Sequence, residues 1–153
     1  MTLYTKFFIM KNAILVLLVV VVVVVGCNSA KSSTATVSIY NTTWELEYLS
    51  GTRIAFEGLY PEGKPTLILN EKGMTYGGNS SCNTYTGSFT YENNLLQFGE
   101  TTRTMRYCEG GGEQAFFGML KKVSKPVIDS DGKLLLMMDD VPMMRFKKIE
   151  TKK

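Results

Sequence analysis

The chain contains no histidine in 153 residues. That removes the commonest proton shuttle and metal ligand near neutral pH, and with it a serine triad or a two-histidine zinc site. Reactive chemistry falls to three cysteines, Cys27, Cys82 and Cys108. Neither Cys82 nor Cys108 is accompanied by the general base a thiol nucleophile requires, and no two carboxylates share a suggestive frame. Asp129-Ser130-Asp131-Gly132 resembles the start of a calcium loop, but Lys133 stands at its fifth position and Asp140 at its twelfth, where a glutamate belongs. It reads as a hairpin turn. The expectation is a protein that is no enzyme, with no catalytic residue, cofactor or metal.

Cys27 has a different chemistry open to it. Residues 12–25 form an apolar run rich in valine, preceded by Lys6 and Lys11 and followed by Gly26 and Cys27. This charged, apolar, small-residue order is that of an export signal. About 13 apolar residues make roughly 20 Å of helix, short of the roughly 30 Å hydrocarbon core. An uncleaved anchor reaching back to Phe7 is the alternative, and Met10 is a second possible start. Val24-Val25-Gly26-Cys27 resembles the lipobox of bacterial lipoproteins, which implies cleavage before Cys27 and acylation of its thiol. Asn28 in the next position implies delivery to the outer membrane, facing the periplasm.

Residues 1–26 are thus read as a signal peptide, 27–40 as a Ser/Thr/Ala-rich flexible tether, 41–149 as one domain and 150–153 as a tail. A domain of about 110 residues is large enough for one core. Loss of Lys6 and Lys11 lowers the formal net charge of +3 by two, so no basic footprint for nucleic acid remains. With Cys27 acylated, Cys82 and Cys108 form an even pair in an oxidising compartment. Such a pair is more often bridged than free, the alternative being two buried thiols. A bridge would constrain the unfolded chain by roughly 3.5 kcal/mol.

The elements that must position these cysteines are mostly strands. Thr43-Trp44-Glu45-Leu46-Glu47-Tyr48-Leu49 alternates, which places Trp44, Leu46 and Tyr48 on one face. Further strands are expected at 66–69, 74–76, 88–91, 95–98, 127–128, 134–138 and 141–149, with Asn70 to Gly73, Glu92 to Asn94 and Asp131-Gly132 as turns. Connections this short require antiparallel pairing. One helix is expected over 113–123, with Phe116, Leu120 and Val123 at helical spacing and Pro126 beyond it. The fold class is mostly β (α+β): an antiparallel, partly open β-barrel of seven or eight strands with one helix packed alongside.

A run of motifs follows this order: an opening Thr-Trp-x-Leu, then Gly78-Asn79-Ser80-Ser81-Cys82-Asn83-Thr84-Tyr85-Thr86-Gly87, then Thr104-Met105-Arg106-Tyr107-Cys108, then Glu113, Phe116 and Leu120. The chain resembles the META domain (HslJ-like) family, whose hallmarks are Gly-Cys-Asn-x-x-x-Gly, Thr-x-x-x-Cys and Glu-x-x-Phe-x-x-x-Leu. Ser81 stands where the family often has glycine, and Tyr107 where it commonly has a small residue. The resemblance implies a partly open barrel with a helix alongside and an envelope or secreted protein; it implies no catalytic residue. It extends to pilotin lipoproteins, which bind a lipid or peptide tail in the barrel cleft.

Cys82-Asn83 and Thr104 are read as architecture, since short polar side chains beside a turn bond neighbouring backbone. The tyrosines and methionines suit either an ordinary core or adaptable apolar recognition. Arg103 and Arg106 suit a solvated face or an anionic head group. Two functions follow as expectations: a lipid-anchored envelope protein that binds an unidentified protein partner or serves under envelope stress, or a binder of a small apolar or acyl-chain ligand in the barrel cleft. A barrel filled by Phe89, Phe98 and Leu136 would count against the second.

Overall fold

The computed structural model describes residues 37–53 and 55–150. The signal peptide, Cys27, tether residues 28–36 and tail residues 151–153 lie outside the described residues. Eight strands form one antiparallel sheet: β1 (Thr43–Leu49), β2 (Thr66–Asn70), β3 (Thr75–Asn79), β4 (Thr84–Glu92), β5 (Leu95–Arg103), β6 (Lys125–Ile128), β7 (Leu134–Met138) and β8 (Val141–Ile149). Their order is β5-β4-β3-β2-β1-β8-β7-β6. A five-stranded meander, β1 to β5, and a three-stranded one, β6 to β8, therefore meet where β1 pairs with β8. The edges β5 and β6 approach at one point, where the Leu96 N–H donates to the Ser124 carbonyl at 2.7 Å, and the barrel stays partly open.

Strand alternation explains the core. Trp44, Leu46, Leu67, Leu69, Leu134, Leu136 and Phe146 point inward and are fully buried, each stabilising the fold by about 2–3 kcal/mol relative to exposure. Tyr48 does not join them. A β-bulge between Leu46 and Tyr48 in the pairing with β8 reverses the alternation, so Leu49 turns inward and Tyr48 outward. There the Arg145 guanidinium lies over its ring, 5.6 Å from the centroid.

Several expectations change at element boundaries: β4 and β5, expected at 88–91 and 95–98, extend over Thr84–Glu92 and Leu95–Arg103, and three other changes bear on the core. Residues 37–40 were assigned to the tether, yet they pack on the barrel: Tyr40 bridges Leu69, and the Trp44 indole donates to the Ile39 carbonyl at 3.1 Å. Trp44 cannot be buried without a partner for its N–H, and this segment supplies it. The long helix, α2 (Gly112–Leu120), ends before Val123, which is buried beyond a turn. A one-turn helix, α1 (Phe56–Leu59), was not expected; it lies in the β1–β2 connection and buries Leu59.

The turns define two ends of the barrel. One end holds the incoming residues 37–42 and the β2–β3, β4–β5 and β6–β7 turns, with Val37 against Gly132. The other holds the β1–β2 connection, the β3–β4 turn, and the segment from Arg103 to α2. The helix packs here through Phe116, Met119 and Leu120.

Candidate functional site

The second end carries the motif residues, and Asn83 is their hub. It lies in the turn between β3 and β4, with only 2% of its surface exposed. Its Oδ1 accepts from the Thr104 hydroxyl and from the Arg106 N–H, both at 2.8 Å. Its Nδ2 donates to the Arg106 carbonyl at 2.9 Å and to Glu113 Oε2 at 3.0 Å. One amide thus satisfies four groups on two other segments, which fixes its orientation. Thr104 returns the tie: its hydroxyl accepts from the Thr84 N–H at 3.2 Å, and its own N–H donates to the Thr84 carbonyl at 3.1 Å.

A disulfide joins Cys82 to Cys108, with 6.2 Å between the Cα atoms. Residues 104–108 form a strap held by Thr104 and Asn83 at one end and by this bridge at the other. Glu113, in the first turn of α2, receives Asn83 on one oxygen and the Arg103 guanidinium on the other at 3.1 Å. Its negative charge also suits a helix N-terminus. Arg103 in turn lies over the Phe117 ring, 5.2 Å from its centroid.

The glycines of the motif are required by close approach. A Cβ on Gly78 would sit 2.1 Å from the Thr66 carbonyl oxygen, and one on Gly87 would strike the Tyr76 ring at 2.6 Å. Phe116 and Leu120 are core residues, Phe116 lying 5.7 Å from the Tyr85 ring. Tyr85 donates to the Thr66 carbonyl at 2.7 Å, and Tyr76 to that of Gly99 at 3.1 Å. Burial raises the pKa of both hydroxyls above the ordinary phenol value, and each stays a protonated donor.

Ser81 stands at φ 99°, in the region that favours glycine. The departure from the family pattern therefore falls on a backbone position that a side chain burdens. Its N–H donates to Asn79 Oδ1 at 2.8 Å. Ser80 is also fully buried, its N–H and hydroxyl both donating to the Asn83 carbonyl. Sequence reasoning gave Ser80 no role, and it passed over Glu62, the partner of Arg106, because no local pattern marks a contact between residues 44 positions apart.

Met105 and Tyr107 project from the strap into solvent, 94% and 85% exposed. Of the aromatic and methionine side chains, Trp44, Tyr76, Tyr85, Met119 and Met144 instead belong to the core. A cleft of about 310 Å³ beside the strap is lined by Asn83, Arg103, Glu113, Gln114 and the strap itself. The barrel interior is occupied by side chains, Phe89 and Leu136 fully inside with Phe98 packed against them. That filling weighs against an acyl chain held within the barrel. Among the described residues no cluster of three or more His, Cys, Asp or Glu side chains is placed to hold a metal, and no helix is long and apolar enough to cross a membrane.

Fold and site define a partly open antiparallel barrel whose one mouth is braced by a disulfide, a buried asparagine and the start of a helix. The META domain model matches residues 35–150, and the chain belongs to that family. Its fold is similar to an NMR structure of a protein from Burkholderia xenovorans, with TM-score 0.57 and 24% identity over 74% of this chain and 85% of that one. A second NMR structure shares 18% identity over 69% of this chain and 87% of the other, with TM-score 0.50. At these identities the likeness concerns the fold alone. None of the curated proteins matches the chain.

Proposed function

We propose that this is a non-enzymatic, lipid-anchored protein of the cell envelope, held in the outer membrane through Cys27 and facing the periplasm, whose META domain works by binding another protein. The observation that carries the binding role is the use made of the motif. Asn83, Thr104, Glu113 and the Cys82–Cys108 bridge spend their polar and sulfur atoms on one another. They hold a surface in place rather than aim a reactive group outward. The lipobox-like Val24-Val25-Gly26-Cys27 supports the anchor.

The test is native mass spectrometry of the full chain extracted from its envelope in mild detergent. The expected species begins at Cys27 and carries the mass of a diacylglyceryl group. A chain retaining residues 1–26, or one without acyl mass, would overturn the anchor. A retained lipid or small molecule in stoichiometric amount would favour a ligand binder over a protein-binding domain.

A further inference from the structure

The strap places two large apolar side chains in water on backbone that is tied down. Met105 and Tyr107 alternate with Thr104 and Arg106, whose backbone or hydroxyl groups are fixed by Asn83. Preorganised anchors of this kind lose little conformational freedom on association, the condition under which a few residues dominate binding. Charge frames the pair. Arg103 and Arg106 are 45% and 61% exposed at their side chains, while their carboxylate partners are less so, Glu113 at 12% and Glu62 at 45%. Beside Met105 the surface therefore presents guanidinium more than carboxylate, and residues 101–108 contain no acid.

We propose that residues 103–107 are a docking surface for a partner protein presenting an apolar pocket bordered by carboxylates. That the partner is an envelope protein rests on the lipid-anchor reading above. Two other occupants fit the observations less well. A second copy meeting this surface about a twofold axis would bring one guanidinium-bearing patch against another, a juxtaposition of like charges.

The bilayer is disfavoured by chain length. The domain is entered at Val37, at the end of the barrel opposite the strap. The nine-residue strands that run between the ends are about 30 Å long. Ten residues from Cys27 to Val37 reach at most about 35 Å fully extended. Turning the strap onto the membrane would consume nearly all of that reach.

The test places the photo-cross-linking residue p-benzoylphenylalanine at Met105, at Tyr107 and, as a control at the other end, at Glu92 in the full-length chain in intact envelopes. Positions 105 and 107 are expected to join the same protein, mapping by mass spectrometry to an apolar segment with Asp or Glu at its border. Arg106→Glu should abolish the adduct, and reversing the mapped carboxylate should restore it. With the cross-linker at 107, Met105→Ser should lower the yield roughly tenfold while leaving the melting temperature unchanged, because the side chain is exposed.

Adducts to phospholipid, adducts to a second copy, equal adducts from position 92, or no adduct from an acylated chain would each overturn the docking surface. An adduct of the expected kind from a chain lacking acyl mass on Cys27 would overturn the anchor, leaving the docking chemistry standing.

Discussion

Replacing Asn83 with alanine removes four hydrogen bonds at once, and the structure lets the cost be apportioned. The bond to the Glu113 carboxylate is charge-assisted and worth about 1.5–3 kcal/mol. The three neutral bonds are worth about 1 kcal/mol each where the abandoned group stays buried. Thr104 and Arg106 are exposed and can turn partly to water, so the neutral share falls at the low end. A total of about 3–5 kcal/mol follows, a large fraction of the 5–15 kcal/mol typical of a domain. The melting temperature should fall by roughly 10–20 °C, measured by circular dichroism with the disulfide kept oxidised.

Asn83→Asp separates the electrostatics from the packing. It keeps the shape but sets a second carboxylate against Glu113, where the amide now sits at 3.0 Å. Two facing carboxylates share a proton in the folded state, which raises their pKa. A raised folded pKa means stability present at low pH and lost as pH rises through the carboxylate range. The deficit of Asn83→Asp relative to wild type should therefore be larger at pH 7 than at pH 4. An Asn83→Ala cost under about 1 kcal/mol, or an Asn83→Asp deficit independent of pH, would refute the view of Asn83 as the brace.

Three further outcomes are expected. Ser81→Gly relieves a side chain at φ 99°, a strain of about 1–3 kcal/mol, against an unfolded-state cost of about 0.4–1 kcal/mol; urea denaturation should show a net gain near 1 kcal/mol, and a loss would place the strain elsewhere. Tyr60→Phe should be neutral or stabilising by up to about 2 kcal/mol in thermal melts, because the buried Tyr60 hydroxyl has no hydrogen-bond partner among the described residues. Its desolvation also pushes its pKa upward. Glu47 bonds Lys133 at 2.8 Å, and that bond is the first cause holding its pKa below the usual 4.5. A depressed carboxylate stabilises above its unfolded pKa and loses that contribution as pH falls through the folded one. Glu47→Gln should accordingly flatten the acid side of the stability curve below about pH 4.5, with little change between pH 7 and pH 8.

Much of the barrel was legible because each meander is built from neighbours in sequence. The turns at Asn70 to Gly73, Glu92 to Asn94 and Asp131-Gly132 lie between alternating apolar runs, and short connections leave antiparallel pairing as the only choice. The bulge that expels Tyr48 was not legible, since it depends on how β1 aligns with β8, about a hundred residues away. The same holds for α1, whose four residues carry too few periodic positions to announce a helix.

The candidate site divides along the same line. Sequence by itself determined the inventory: no histidine, one cysteine in a lipobox-like frame, two further cysteines as a pair, and the motif residues Asn83, Thr104 and Glu113 with their spacing. Those are properties of residue type and order, which local patterns record. Only the tertiary structure decided that Asn83 faces Thr104, Arg106 and Glu113 at once, and that Met105 and Tyr107 point outward rather than into the core. Side-chain direction on a strap without regular structure has no period to read. It is set by the partners that fold around it, here one buried amide and one disulfide contributed from more than twenty residues upstream.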